Sequence, residues 1–93
     1  MEDDDMPDKF QNSADSASAP ATAPYAIQPD DVVPLPSIPR GIYVGGGGTL
    51  VLRGVEGSED VAYRNLPDAS YVAVRALYVR ATGTTATNLI AEA

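Results

Sequence analysis

Four consecutive glycines, two runs of aspartate and five scattered arginines are the residues of this chain whose types and spacing invite a chemical reading. Gly45–Gly48 suggests a phosphate loop first. Such a loop needs a lysine and a hydroxyl residue after the glycines, and a helix whose N-terminus meets the phosphate. Here Thr49 follows directly, no lysine is near, and Leu50-Val51-Leu52 reads as a strand. The run is therefore expected to be the tight turn of a β-hairpin, where glycine takes positive φ without steric cost. Asp3-Asp4-Asp5 and Asp30-Asp31 lack the ligand spacing of a calcium loop, and Glu56, Glu59 and Asp60 only flank a turn. The chain has no histidine and no cysteine. That leaves no zinc or copper set, no disulfide, and no ordinary base for a serine or threonine nucleophile. No catalytic residue, no metal site and no cofactor is expected, and the chain does not read as an enzyme.

The arginines remain: Arg40, Arg53, Arg64, Arg75 and Arg80. All lie in or beside β-like segments. They read either as protection of strand edges or as groups that pair across subunits, including with the acidic N-terminal segment of a neighbour. Residues 1–31 carry eight acids and Lys9, a net charge of −7, whereas residues 32–93 balance five acids with five arginines. Neither part has the basic patch of a nucleic-acid binder. No apolar run approaches the length of a transmembrane helix. The opening Met-Glu-Asp-Asp-Asp-Met is the reverse of a basic signal-peptide n-region, so synthesis and assembly in a cytoplasm are expected.

Positioning these groups requires a fold, and proline divides the chain. Seven of the eight prolines fall between Pro7 and Pro39, which excludes long regular elements there. Residues 1–39 are therefore read as an extended, acidic, proline-rich arm, and residues 40–93 as a small β domain. Ser13–Thr22 has almost nothing to bury. Phe10, the only phenylalanine, is a candidate anchor in a neighbour. Pro24–Pro29, with Tyr25 and Ile27, suits an edge strand. Val32–Pro39, with Leu35 and Ile38, is too apolar for a free linker and is expected to lie against the domain or a neighbouring subunit. Phe10, Tyr25, Ile27, Leu35, Ile38 and Arg40 are the candidate interface residues.

Beyond Pro39, strands are expected at about Gly41–Val44, Thr49–Arg53, Asp60–Arg64, Ser70–Arg80 and Ala86–Ala91, separated by turns rich in Gly, Asn and Pro. Ser70–Arg80 is apolar on both faces and reads as one long central strand. The fold class is all-β, a small antiparallel sandwich or barrel of about five short strands with an extended arm. A domain of about fifty residues without disulfides or metal is marginal alone, so association with other copies is expected.

The order of motifs carries a resemblance. Asp-Lys-Phe-Gln-Asn-Ser-Ala-Asp-Ser (8–16) leads to Ala-Ile-Gln-Pro-Asp-Asp (26–31), then Pro-Arg-Gly-Ile-Tyr-Val-Gly (39–45) and Tyr-Arg-Asn-Leu-Pro (63–67). Val-Ala-Val-Arg-Ala-Leu-Tyr-Val-Arg (72–80) and Ala-Thr-Gly-Thr-Thr-Ala (81–86) complete it. The chain resembles the head spike base proteins of gene transfer agents of the Rhodobacter type and small relatives in tailed phages and prophages. The resemblance implies a structural protein of a phage-like particle, located on the capsid surface. Its implied partners are further copies of itself in a ring (a pentamer), the major capsid protein and a spike fibre that contacts host polysaccharide. Two alternatives stand beside it. One is a small carbohydrate-binding module using Tyr63, Tyr71 and Tyr78; the other is a head–tail connector or tail-tip protein.

Overall fold

Alternation sets the strands. In Ile42-Tyr43-Val44 the first and last side chains are fully buried and the tyrosine faces out; in Leu50-Val51-Leu52 the leucines point in. The computed structural model describes residues 20–93 and places seven strands in them. They are β1 (Tyr25–Ala26), β2 (Gly41–Gly46), β3 (Gly48–Gly54), β4 (Val61–Leu66), β5 (Ser70–Val72), β6 (Ala76–Val79) and β7 (Thr87–Glu92). They form two antiparallel sheets, one in the order β1-β7-β2-β5 and one in the order β4-β3-β6. One core lies between them: Ile42, Val44, Val72, Leu89 and Ala91 come from the first sheet, and Leu50, Leu52, Ala76 and Val79 from the second. The fold is the all-β sandwich expected from composition and turn spacing, with Tyr25–Ala26 at a sheet edge.

Two expectations are corrected. The glycine run is not a hairpin turn, because β2 and β3 belong to different sheets. Gly47 is the single residue between them, and it takes the chain around the corner of the sandwich. The glycines are there for close approach. A Cβ on Gly47 would sit 2.2 Å from the carbonyl oxygen of Leu66, with Pro67 and Asp68 backbone at 2.9 and 3.0 Å. The Gly47 N–H donates to Asp68 Oδ1 at 2.7 Å, tying the corner to the β4–β5 turn. Gly48 then has a φ of +147°, a region that side chains rarely adopt.

Nor is Ser70–Arg80 one central strand. Ser70–Val72 pairs with β2 in the first sheet, and Ala76–Val79 pairs with β3 in the second. Both pieces are edge strands. The break falls at Ala73-Val74-Arg75, where the Val74 N–H turns back to the Val72 carbonyl and the Arg75 carbonyl accepts from Val55 N–H. The two-sided apolar pattern has a different cause from central placement. The sequence changes sheets within the stretch, and the proline-rich arm covers the outer edge of β6, with Asp30 and Leu35 N–H groups donating to the Val79 and Leu77 carbonyls.

Ala69 closes the β4–β5 turn with a φ of 59°, a left-handed conformation that costs an L-residue roughly 1 kcal/mol or more. Ala69→Gly removes that strain, offset in part by the entropy glycine loses on folding. The expected net gain is a few tenths to about 1 kcal/mol, read as a melting temperature raised by a few degrees.

Candidate functional site

The arm is the part of the molecule whose sequence least resembles an ordinary β domain, and it is fastened along its described length. Thr22 and Ala23 N–H groups donate to the Ala93 carbonyl at 2.9 and 2.6 Å. Tyr25 and Ala26 pair with Ala91 and Ile90, and Ile27 N–H reaches the Leu89 carbonyl. The chain then crosses to β6 and returns, with Arg40 N–H on the Glu92 carbonyl at 2.7 Å. Segment 25–39 thus straps the open side of the sandwich from the β1 edge of one sheet to the β6 edge of the other. Tyr25 assists with its side chain, its hydroxyl donating to the Ser37 carbonyl.

Two carboxylates hold the crossing in shape. Asp30 Oδ1 accepts from Val32 and Val33 N–H, both at 2.8 Å. This is the side-chain mimic of a turn that aspartate favours. Asp31 accepts from Thr82 N–H at 2.9 Å through Oδ1 and from the Thr82 hydroxyl at 2.7 Å through Oδ2. The Asp31 carbonyl accepts from Arg80 Nη1, and Arg80 Nε pairs with Asp60 Oδ1 at 3.0 Å. These bonds favour the ionised forms. Asp30 is held below its ordinary value of 3.8 by the Val33 and then the Val32 N–H, and Asp31 by the backbone and side chain of Thr82. A depressed carboxyl adds stability that is complete above the unfolded value and is lost as pH falls through the folded one. The arm is therefore expected to loosen as pH drops below the ordinary carboxyl value of 3.8. Melting temperature against pH checks this: Asp31→Asn should lower it at neutral pH and flatten its fall in acid.

The strap creates a groove. It has a volume of about 300 Å³ and is lined chiefly by Tyr25, Ala26, Val33, Pro34, Leu35 and Pro36, with Asp30 among its polar groups. Beside it, Val32 and Val33 are 78% and 60% exposed, the largest values among the big apolar side chains of the described residues. Their turn is fixed by Asp30, so this apolar corner is held in place.

The outer faces of the two sheets differ. On the first, the register sets Tyr71 opposite Tyr43, Tyr43 opposite Ile90, and Ile90 opposite Ala26, an apolar row across all four strands. Tyr71 is 54% exposed and Tyr43 39%. The second face is cationic and aromatic: the Arg53 and Arg80 guanidinium carbons lie 4.7 and 4.0 Å from the Tyr78 ring centroid, within range for a cation–π contact. Arg53 Nε is buried without a hydrogen-bond partner, while Arg64 and Arg75 are exposed.

The expected interface residues do not share one location. Ile27 and Leu35 turn into the core of their own domain. Tyr25, Ile38 and Arg40 are half-buried in the strap, and Phe10 lies outside the described residues. Of the tyrosines proposed for sugar, Tyr63 packs against the core, Tyr78 is stacked by arginines, and Tyr71 is exposed. Exposed large apolar side chains outside those candidates are Val32, Val33, Tyr43, Val55 and Val61. Tyr43 was signalled by its position between two inward residues, whereas the exposure of the valine pair rests on the distant contact of Asp31 with Thr82. Among the described residues, no group of three or more His, Cys, Asp or Glu side chains is placed to hold a metal ion. No helix there is long and apolar enough to cross a membrane.

No protein-family model matches the chain, and no curated protein matches it. The chain is similar to a chain of the solved structure described as "Capsid of native GTA particle computed with C5 symmetry". The two are 40% identical, the match covers 91% of this chain and 98% of the other, and the TM-score is 0.75.

Proposed function

The chain belongs to the family of proteins found in the capsid of the gene transfer agent (GTA) particle, and we propose on that footing that it is a head spike base. It is a structural component of a virion-like particle. In the proposed role it attaches to capsid vertices, assembles with other copies into a ring of five, and anchors a spike fibre that contacts host-cell polysaccharide. The observation that carries this reading is the 40% identity to a GTA capsid chain over nearly the whole length of both.

The surface chemistry supports it. Cyclic rings need two different patches that meet head to tail. The apolar tyrosine row and the fixed Val32–Val33 corner are two such patches on one small domain. In the proposed role the acidic segment before Pro20 latches onto the shell, and repeated weak contacts become strong when a ring presents several at once. Residues 25–93 carry seven acids and five arginines, a net charge of only −2, so identical domains crowd together with little net repulsion. The proposed place of assembly is the bacterial cytoplasm, with the finished protein on the capsid surface and no catalytic role.

Reconstruction of particles from cells lacking this chain is the test. Vertex density is expected to disappear while the shell stays closed. Loss of density at the head–tail junction or tail tip instead would assign the chain to a connector. A second reading, direct sugar binding, is favoured by one observation: Tyr43 and Tyr71 stand side by side and exposed. Saturable binding to a glycan array, lost on Tyr71→Ala, would support it; no binding by the assembled protein would remove it.

A further inference from the structure

We propose that the strap groove is the receptor for Lys9 and Phe10 of a second copy, so that each subunit is latched to the next by its own N-terminal segment. The inference deepens the ring reading above and rests on it. Its first support is chemical match. The groove is lined mainly by apolar and proline side chains, with a carboxylate at Asp30. The segment before Pro20 contains the chain's only phenylalanine and, directly before it, the chain's only lysine. An aromatic ring takes up about half of an apolar groove of about 300 Å³, which leaves room for the lysine stem, and the adjacent ammonium then lies beside Asp30. That carboxylate stays ionised because the Val32 and Val33 N–H groups bind its Oδ1. Aromatic side chains are favoured anchors at such sites.

The second support is the path of the chain. β1 runs antiparallel to β7, from Tyr25 opposite Ala91 to Ile27 at Leu89. Upstream of it, Thr22 and Ala23 are bonded to Ala93, past the far end of β7. The groove opens beside β1, between Tyr25 and Ala26 on one side and the strap as far as Pro36 on the other. Reaching its own groove requires residues 10–20 to turn back towards β1, whereas Pro20 and Pro24 favour extended backbone in themselves and in the residue before each. A second copy set beyond the Ala93 end of β7 is reached without that turn. Ten residues from Phe10 to Pro20 span up to about 35 Å when extended, more than the 27 Å intermediate dimension of the domain. An arm in a groove is also a head-to-tail contact, the kind that closes a cyclic ring.

The chain has no cysteine, so a cross-linking test is clean. Gln11→Cys and Ser37→Cys, combined in the full-length protein, place thiols next to the anchor and beside the groove, Ser37 being exposed and adjacent to Pro36 of the lining. Treatment with a short bis-maleimide is expected to give a ladder of covalent multimers on a denaturing gel. Each single variant should stop at dimer or monomer. Adding Phe10→Ala to the double variant should reduce the ladder at least ten-fold with an unchanged melting temperature, and Phe10→Tyr should largely restore it. Cross-linking within one chain, seen as a monomer of altered mobility, overturns the exchange between copies; no cross-link at all overturns the docking. The same variant is then followed onto purified particles. A ladder without incorporation leaves the latch standing and removes the virion role, whereas incorporation without a ladder removes the latch alone.

Discussion

Gly47→Ala is expected to destabilise the protein by about 3 kcal/mol, towards the upper end for an over-packed position. The added Cβ meets backbone rather than a movable side chain: the Leu66 carbonyl oxygen at 2.2 Å, Pro67 carbon and Asp68 nitrogen. Relief requires the corner and the β4–β5 turn to separate. That stretches the Gly47 N–H to Asp68 bond and disturbs the Ala69 N–H to Gly45 carbonyl contact beside it. The neighbouring glycines provide the control. A Cβ on Gly41 meets the hydroxyl end of the exposed Tyr71 ring, which swings away, so Gly41→Ala should cost far less. Urea titration of the two variants measures the difference. Equal midpoints would show that the corner is not the rigid point that the geometry describes.

Removing residues 1–39 is expected to abolish cooperative unfolding, while removing residues 1–19 leaves the melt within a few degrees. The larger deletion takes Ile27 and Leu35 out of the core, at roughly 1.5–3 kcal/mol for each buried side chain. It also strips Pro39, which is fully buried, and frees the edges of β6 and β7. A small domain has only about 5–10 kcal/mol to lose. Leu35→Ala alone should cost about 2–4 kcal/mol, which for a chain of this size lowers the melting temperature by at least ten degrees or so. Calorimetry on the two truncations decides where folding ends and the peripheral segment begins. A cooperative melt after removal of residues 1–39 would return the strap to the status of an appendage.

How far sequence carries the fold can be seen at particular residues. Ile42, Val44, Leu50, Leu52 and Leu89 announce themselves by alternation, and each is buried. Pro24–Pro29 announces an edge strand through prolines that a central strand would reject. The glycine run misleads because its composition is the same for two different needs, a positive φ in a hairpin and close backbone approach at a corner. Only the partner of Gly47, which lies nineteen to twenty-one residues away in Leu66–Asp68, tells them apart. Ser70–Arg80 misleads because period-two alternation says which residues are buried and not which sheet buries them. The surface is harder still. Exposure of Val32 and Val33 depends on two aspartates fixing a turn against Thr82, fifty-one residues from Asp31, and no local pattern encodes that contact. Tyr43, Ile90 and Ala26 become a row only once three strands from opposite ends of the chain lie side by side.

The short β1–β7 pairing has a mechanical consequence. The chain enters at Thr22–Ala23 and leaves at Ala93 from the same end of that pair, held there by two bonds to one carbonyl. A pull applied between the two chain ends peels β1 away one residue pair at a time, the direction in which an antiparallel ribbon resists least. A pull that enters through the flat outer face of the four-stranded sheet and leaves through the strap loads several backbone bonds together, in shear. Cargo fixed to the sheet face is thus held more firmly than cargo fixed at Ala93.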